Sequence, residues 1–427
     1  MGDRLERYAE LAVRVGANVQ EGQEVFIDGA VEHVDLVRAL ARQSYRAGAS
    51  YVNLRYTDQH VRRAMIELGP DEALTYAPEW LKTMETATAG NALLATAGDT
   101  EPELLADLDG DRVGRARSPE IAAIRRQQHR DNSVNWGIIG APTEGWANQV
   151  LGEPDVERLW ELVAFCFRLD EDDPVAAWRE HLDRLEARAT SLTALRPDAL
   201  RYRGPGTNLT VGLLASARWG TARFRTASGI DYVANMPTEE IFTTPDPRRA
   251  DGTLRSSLPL SLDGQLIRDL RLTFEDGQIV QVDAESGADI VRAHLATIEN
   301  ADRLGELSLV TKESRVGQTG TLFYDTLFDE NATCHIAYGN GLAYAFDGEP
   351  DDAMNVSNIH IDFMIGRPAR PTAPPSYAAS CHSSSRMSGT SVPSARTAST
   401  SSSGRPIMKS MWMFETFIAS SGSPSKA

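Results

Sequence analysis

The sequence predicts an α/β protein in which an N-terminal domain with a parallel sheet is followed by a β-rich α+β domain. Two observations support this fold class. Helical and strand periodicities alternate over the first 110 residues, whereas short strand patterns separated by turn residues dominate after about residue 197. At 427 residues the chain is also too long for one comfortable core, which favours two or three domains.

The first predicted domain, residues 1–195, shows the order of elements that βαβ units require. Its periodicity predicts a helix over 5–15, a strand over 24–28, a helix over 31–47, a strand over 50–55 and a helix from residue 61. The apolar run 134–147 predicts a buried strand that closes the sheet and ends in a Pro/Gly-rich turn. Residues 153–193 have a helical pattern, and the acidic run 170–173 before Pro174 is typical of a solvated helix start.

The second predicted domain, residues 196–366, is rich in antiparallel strands. Its alternating patterns predict strands over 208–213, 266–274 and 279–282. The dipeptides Asp263-Gly264 and Asp276-Gly277 are strong hairpin signals, because both residues of a type I′ turn take positive φ angles.

Residues 367–427 differ from the rest of the chain, since Ser, Thr, Pro and Arg dominate and hydrophobic periodicity is lost. Such a composition buries too little apolar surface to offset chain entropy, so we expect a low-complexity, disordered tail. The abrupt change suggests a shift of reading frame near Arg367. Resequencing the encoding DNA tests this hypothesis, and one continuous frame across 366–371 would contradict it.

Composition excludes several kinds of partner. A formal net charge of −17 argues against nucleic acid, which requires a basic surface. No apolar segment predicts a membrane span or a signal peptide. The three cysteines, Cys166, Cys334 and Cys381, stand far apart, so the sequence supports neither a disulfide framework nor a thiolate zinc site. We therefore expect a cytoplasmic protein.

Acidic and imidazole side chains recur through the second domain in a pattern that suits a metal site. His360 and Asp362 stand two apart in a predicted strand and so project to one face. Carboxylate oxygens and imidazole nitrogens are good ligands for zinc, cobalt or manganese. Each residue alone has an ordinary structural explanation, so the prediction depends on the whole set: Glu240, Glu306, Glu330, His335, His360 and Asp362.

Four segments, 235–245, 303–306, 322–335 and 360–366, carry a resemblance to the aminopeptidase T / aminopeptidase S family of thermophilic-type metalloproteases. The resemblance covers about residues 4–366 and stops there. It implies a broad-specificity aminopeptidase that acts on peptides with a free N-terminus. It also implies a homodimer, and two divalent ions, zinc or cobalt with manganese or magnesium as alternatives, that activate a water molecule.

The resemblance also implies a role for each site residue. All six members of the set correspond to metal ligands, and Glu306 to the one that bridges both ions. Tyr344 matches a site tyrosine, with Tyr338 as the competing candidate because the intervening loop differs in length. Of Glu239 and Glu240, the one that binds no metal would be a catalytic base or an anchor for the substrate ammonium group, and the sequence does not choose between them.

The sequence is also compatible with other functions. The altered C-terminus allows a catalytically silent peptide-binding or scaffold protein. Another dinuclear amidohydrolase would cleave N-blocked substrates instead. Cys334 beside His335 also suggests a Cys/His nucleophile, although a packed apolar role fits its strand-like surroundings better.

Overall fold

The structure is a computed structural model that describes residues 2–98, 101, 104–105, 107–262, 265–346, 348 and 350–366. Three predictions lie outside the described residues: the disordered tail 367–427, the change of reading frame near Arg367, and the turn at Asp263-Gly264.

The first half of the chain alternates strands and helices. Its elements are α1 (Gly2–Leu11), β1 (Glu24–Ala30), α2 (Val34–Arg46), β2 (Tyr51–Thr57), α3 (Gln59–Leu68), α4 (Asp71–Thr75), α5 (Glu79–Ala87), β3 (Ala92–Ala97), α6 (Gly110–Arg115), α7 (Pro119–Arg130), β4 (Asn135–Gly140), α8 (Glu144–Leu151), α9 (Val156–Cys166) and α10 (Pro174–Leu195). The strands pair in the order β2-β1-β3-β4, and every pairing is parallel. This sheet confirms the α/β prediction.

Two local predictions differ from the structure. The Pro/Gly-rich turn after β4 is short, because the Thr143 side chain accepts a hydrogen bond from the backbone N–H of Trp146 and starts α8. The helical pattern over 153–193 divides into α9 and α10. The Asp173 side chain caps α10 by accepting from the Ala176 N–H, and Pro174 occupies its first turn. The acidic run is thus a helix start, as expected.

The second half is mainly antiparallel. Its elements are β5 (Ala199–Gly204), β6 (Thr207–Leu213), β7 (Arg223–Arg225), β8 (Asp231–Val233), β9 (Glu240–Thr243), β10 (Pro245–Arg255), β11 (Leu260–Leu262), β12 (Gln265–Ile267), β13 (Arg271–Glu275), β14 (Gln278–Asp283), α11 (Ala288–Thr297), β15 (Leu304–Val310), α12 (Arg315–Thr319), α13 (Thr326–Asp329), β16 (His335–Gly339) and β17 (His360–Met364). One sheet has the order β14-β13-β10-β6-β5, and another the order β17-β16-β15-β9.

The hairpin β13–β14 confirms one turn prediction. Asp276 and Gly277 have φ angles of 49° and 83°, and Glu275 pairs with Gln278 across the turn. The predicted single strand over 266–274 is wrong, because β12 ends before Asp269, which has a φ of 53° and interrupts the extended backbone.

Apolar contacts join the two halves. The core around the parallel sheet also contains Phe323 and Phe328 from the second half. The Trp146 Nε1–H donates to the Phe323 carbonyl oxygen at 2.6 Å. The predicted boundary at residue 195 coincides with the end of α10 and stays a prediction. Within the part of the chain that the structure describes, none of the helices combines the length and hydropathy needed to cross a membrane.

Candidate metal centre

Five of the six predicted metal ligands lie on the sheet β17-β16-β15-β9. Glu240 belongs to β9, Glu306 to β15, His335 to β16, and His360 and Asp362 to β17. His360 and Asp362 point together, as the alternation of a strand predicts, and 3.4 Å separates His360 Nε2 from Asp362 Oδ1. The sheet therefore gathers residues that are up to 122 positions apart in the chain.

A β-bulge at Gly305 turns Glu306 toward the shared face. Leu304 pairs with Tyr338, and the register shifts before Glu306. Without the shift, Glu306 would project with Leu304 into the apolar core, because residues two apart share a face. A side chain at position 305 is excluded, since its Cβ would lie 2.0 Å from the Asn340 carbonyl oxygen. An isolated glycine in a strand is the sequence signal for such a bulge.

Glu306 belongs to two groups of three candidate ligands, one with Glu240 and His335 and one with His360 and Asp362. Within each group the ligand atoms lie within 4.8 Å of one another. His335 Nε2 is 3.3 Å from Glu240 Oε2 and 3.8 Å from Glu306 Oε1. His360 Nε2 is 2.9 Å from Glu306 Oε2. One buried carboxylate thus faces both groups.

Both imidazoles are oriented by backbone carbonyls. His335 Nδ1 is 2.8 Å from the Glu330 carbonyl oxygen, and His360 Nδ1 is 2.8 Å from that of Asn340. An Nδ1–H that donates to a carbonyl leaves the Nε2 lone pair free to bind a metal, and metal-binding histidines commonly have such a partner. The Nε2 atoms point at the carboxylates.

The cluster concentrates negative charge in a buried place. Burial alone would lower the pKa of His335, but the carboxylates of Glu240, Glu306 and Asp362 outweigh it and raise that pKa to about 10. Burial likewise opposes a charge on His360, yet Asp362 and Glu306 raise its pKa well above the usual range. Buried carboxylates need compensating cations, which protons on the imidazoles or metal ions can supply.

Several buried polar atoms at the centre lack a hydrogen-bond partner among the described residues. They are His335 Nε2, Tyr344 Oη and Asp362 Oδ1. Leaving such an atom without a partner costs about 1–3 kcal/mol, and coordination to an ion would remove that cost. The donor set of carboxylate oxygens and imidazole nitrogens therefore fits a divalent cation.

Glu330 and Tyr344 border the two groups of three. Glu330 is buried just after α13, outside both groups. Burial raises the pKa of Tyr344 well above its usual value, and nearby carboxylates, Glu330 among them, raise it further. Tyr338 instead lies on the other face of the sheet, with its Oη 3.3 Å from His294 Nδ1 and its ring beside Phe363. Of the two candidate tyrosines, Tyr344 is the one near the carboxylates.

Comparison with known proteins identifies the family of the chain. The family model for the thermophilic metalloprotease (M29) matches residues 1–371. The chain belongs to this family. It is 40% identical over 376 residues to aminopeptidase T of Thermus thermophilus, a match that covers 85% of this chain and 92% of that protein. It is 36% identical over 378 residues to aminopeptidase AmpS of Bacillus subtilis, with the same coverage of both chains.

A solved structure, wild-type AmpT from Thermus thermophilus, has the same fold. It aligns with a TM-score of 0.78 and 37% sequence identity, over 85% of this chain and 92% of that one. The resemblance inferred from the sequence is thereby confirmed. Family and relatives make the chain a metallo-aminopeptidase, a hydrolase that uses a divalent metal.

Glu239 immediately precedes β9, and its side-chain contacts differ from those of Glu240. Its Oε1 accepts a hydrogen bond from Arg168 Nη2 at 2.8 Å and from the backbone N–H of Arg315 at 3.3 Å. Its Oε2 lies 3.4 Å from His181 Nε2. The catalytic role predicted for Glu239 has no further observation behind it and stays a prediction.

Two polar residues that sequence reasoning missed contact candidate ligands. Ser308 Oγ donates to Glu240 Oε2 at 2.5 Å. The Asn331 side chain accepts from the Glu239 N–H at 2.8 Å and donates to Glu330 Oε1 at 3.4 Å. The sequence could have indicated Ser308, because this residue stands two positions after Glu306 in a strand and therefore lies on the same face.

Cys334 lies apart from this chemistry. It is fully buried, and its Sγ accepts from the backbone N–H of Val310 at 3.3 Å. This placement does not suit a Cys/His nucleophile, and Cys334 is not the free packed thiol that we predicted, because it forms a disulfide bond.

Proposed function

We propose that the protein removes N-terminal residues from peptides, with broad specificity, by means of two divalent ions held on the sheet β17-β16-β15-β9. The observation that carries the proposal is the position of Glu306, whose two carboxylate oxygens face separate groups of donors. A carboxylate between two donor groups is suited to bridging two ions. Zinc or cobalt fits the donor set best, with manganese or magnesium as alternatives.

Within this proposal each side chain has a role. Glu240 and His335 would hold one ion, and His360 and Asp362 the other. Glu330 would complete the site from the loop after α13. Two bound ions would lower the pKa of a water molecule and polarise the scissile carbonyl group.

The protein's own residues would orient the substrate. Ser308 fixes one oxygen of Glu240, and the buried Oη of Tyr344 can donate a hydrogen bond to a substrate oxygen. Negative charge in the site would attract the free ammonium group and so favour peptides with an unblocked N-terminus. The predicted homodimer and the cytoplasmic location belong to this proposal as further expectations.

Metal analysis of the purified full chain, combined with a hydrolysis assay, tests the proposal. We expect two metal ions per chain and release of p-nitroaniline from unblocked Leu- or Arg-p-nitroanilide that a chelator abolishes. A folded protein that binds metal but releases nothing would favour the silent peptide-binding alternative. Cleavage of N-blocked substrates in preference to unblocked ones would indicate another dinuclear amidohydrolase.

A further inference from the structure

We propose that Arg168 is a positioning residue of the metal centre, which acts by neutralising Glu239 and so holds Glu240 in place. The inference rests on the proposed function, because it takes Glu240 as a metal ligand. It assigns Glu239 to support of the centre instead of contact with the substrate. It also makes the metal centre depend on a residue from the first half of the chain.

The surroundings of Arg168 hold its side chain in one orientation. It follows the end of α9 with a φ of 57°, in the left-handed region, and only 5% of its surface is exposed. Its guanidinium lies 4.7 Å from the centre of the Trp178 ring and donates to Glu239 Oε1. The Trp178 Nε1–H in turn donates to the Phe167 carbonyl oxygen at 2.8 Å. Packing and hydrogen bonds therefore fix the direction in which Arg168 points.

Glu239 depends on this guanidinium for charge compensation. Its carboxylate is 3% exposed, and the facing His181 has a pKa lowered by burial to about 4, so that imidazole is neutral near pH 7. The Arg315 contact comes from its backbone, while its guanidinium pairs with Asp170 and Glu171. A buried carboxylate that loses its ion-pair partner is strongly destabilised.

A Glu239 side chain without its ion-pair partner would move, and this movement would displace the neighbouring Glu240 of the metal centre. Glu239 directly precedes Glu240, the first residue of β9, and the two side chains contact different partners, Arg168 and Ser308. A carboxylate that moves toward water therefore displaces the backbone that carries its neighbour. Asn331 also links the Glu239 N–H to Glu330, so the movement would reach a second proposed ligand.

The test compares Arg168→Met, Arg168→Lys, Glu239→Gln and the double variant Arg168→Met/Glu239→Gln in the full chain. Zn²⁺ affinity is measured by competition with a chromogenic chelator, and kcat and KM are measured with Leu-p-nitroanilide. Arg184→Met serves as the matched control, because Arg184 pairs with Glu180 on the exposed surface of α10. We expect this control to stay within about twofold of wild type.

Arg168→Met should weaken Zn²⁺ binding by about 10- to 100-fold, the usual effect of losing a partner that orients a metal ligand. Arg168→Lys should lose less, because it keeps the charge. The double variant should recover to within about fivefold of wild type, since it leaves no buried charge unpaired. If Arg168→Met fails to fold, the double variant alone tests the inference. Zn²⁺ affinity and kcat of the double variant close to those of wild type would then support it.

Two results would overturn the proposal. The first is Zn²⁺ affinity within twofold of wild type in Arg168→Met. The second is a loss of kcat of about 100-fold or more in both Glu239→Gln and the double variant, while both variants keep normal Zn²⁺ affinity. That result would make Glu239 a catalytic residue. A wild-type chain that binds no zinc or other divalent ion would refute the proposed function itself, and with it this inference.

Discussion

Replacing Glu306 by glutamine should abolish peptide hydrolysis while leaving the fold intact. The change removes one negative charge from a carboxylate that is fully buried and faces both groups of candidate ligands. Because both ions would share this carboxylate, its loss should weaken both sites. We therefore expect fewer than two ions per chain and an affinity loss beyond the roughly 10- to 100-fold that follows from changing an outer partner.

The expected loss of kcat/KM follows from the position of Glu306 between both groups of candidate ligands. If the bridging carboxylate is needed for both ions, kcat/KM should fall by at least about 10³, or roughly 4 kcal/mol of transition-state stabilisation. Stability should change little, because glutamine has nearly the volume of glutamate and creates no cavity. Between Glu306→Gln and wild type, both freed of metal by a chelator, the free energy of unfolding should differ by about 1–2 kcal/mol at most, the size of one hydrogen bond.

Three measurements check this prediction: metal content of the purified protein, Zn²⁺ titration, and hydrolysis of Leu-p-nitroanilide at saturating metal. Glu275→Gln is the matched control, because it makes the same chemical change at an exposed position at the end of β13. The reasoning would be refuted by a Glu306→Gln variant that binds two ions and keeps kcat/KM within tenfold of wild type. Loss of the circular dichroism spectrum would show instead that Glu306 supports the fold.

Further predictions concern other parts of the molecule. Tyr344→Phe should lower kcat by about 10- to 100-fold with unchanged metal content, because it removes only a buried hydroxyl donor near the carboxylates; an unchanged kcat would exclude that role. Gly305→Ala should lower the free energy of unfolding by at least about 1–3 kcal/mol in denaturant titrations and weaken metal binding, because its Cβ would lie 2.0 Å from the Asn340 carbonyl oxygen. Stability should fall as the pH drops from about 6.5 toward 4, because burial lowers the pKa of both His33 and His181 to about 4, so the unfolded chain takes up protons that the folded chain does not. In urea titrations, His33→Asn should weaken this dependence, and an unchanged slope would contradict the neutral state of the buried imidazole.

Much of the fold was predictable because its signals are local. The turn at Asp276-Gly277 depends on two adjacent residues that tolerate positive φ, and the structure has it there. The alternation of strands and helices in the first half indicated a parallel sheet in the same way. The strand predicted over 266–274 failed because Asp269 takes a left-handed conformation, and a non-glycine residue gives little warning of that.

The candidate ligands were predictable as a set but their geometry was not. The spacing of His360 and Asp362 fixes a common face within one strand. The direction of Glu306 depends on the bulge at Gly305, which the glycine makes possible but whose position is set by pairing with β16. Arg168 gave no local signal at all, because its partner Glu239 is 71 positions away.

The pair Glu239 and Glu240 shows where local reasoning ends. Both are buried acids, and only the family resemblance, not their residue type or spacing, favours Glu240 as a metal ligand. Strand pairing separates the two, because Glu240 lies opposite Val310 and therefore on the same face as Ser308 and the imidazoles. Its neighbour Glu239 precedes β9 and instead accepts a hydrogen bond from a guanidinium in the first half of the chain. Two chemically identical side chains, adjacent in the chain, thus acquire different environments. Exchanging Ser308 for alanine should therefore affect metal binding through Glu240 alone.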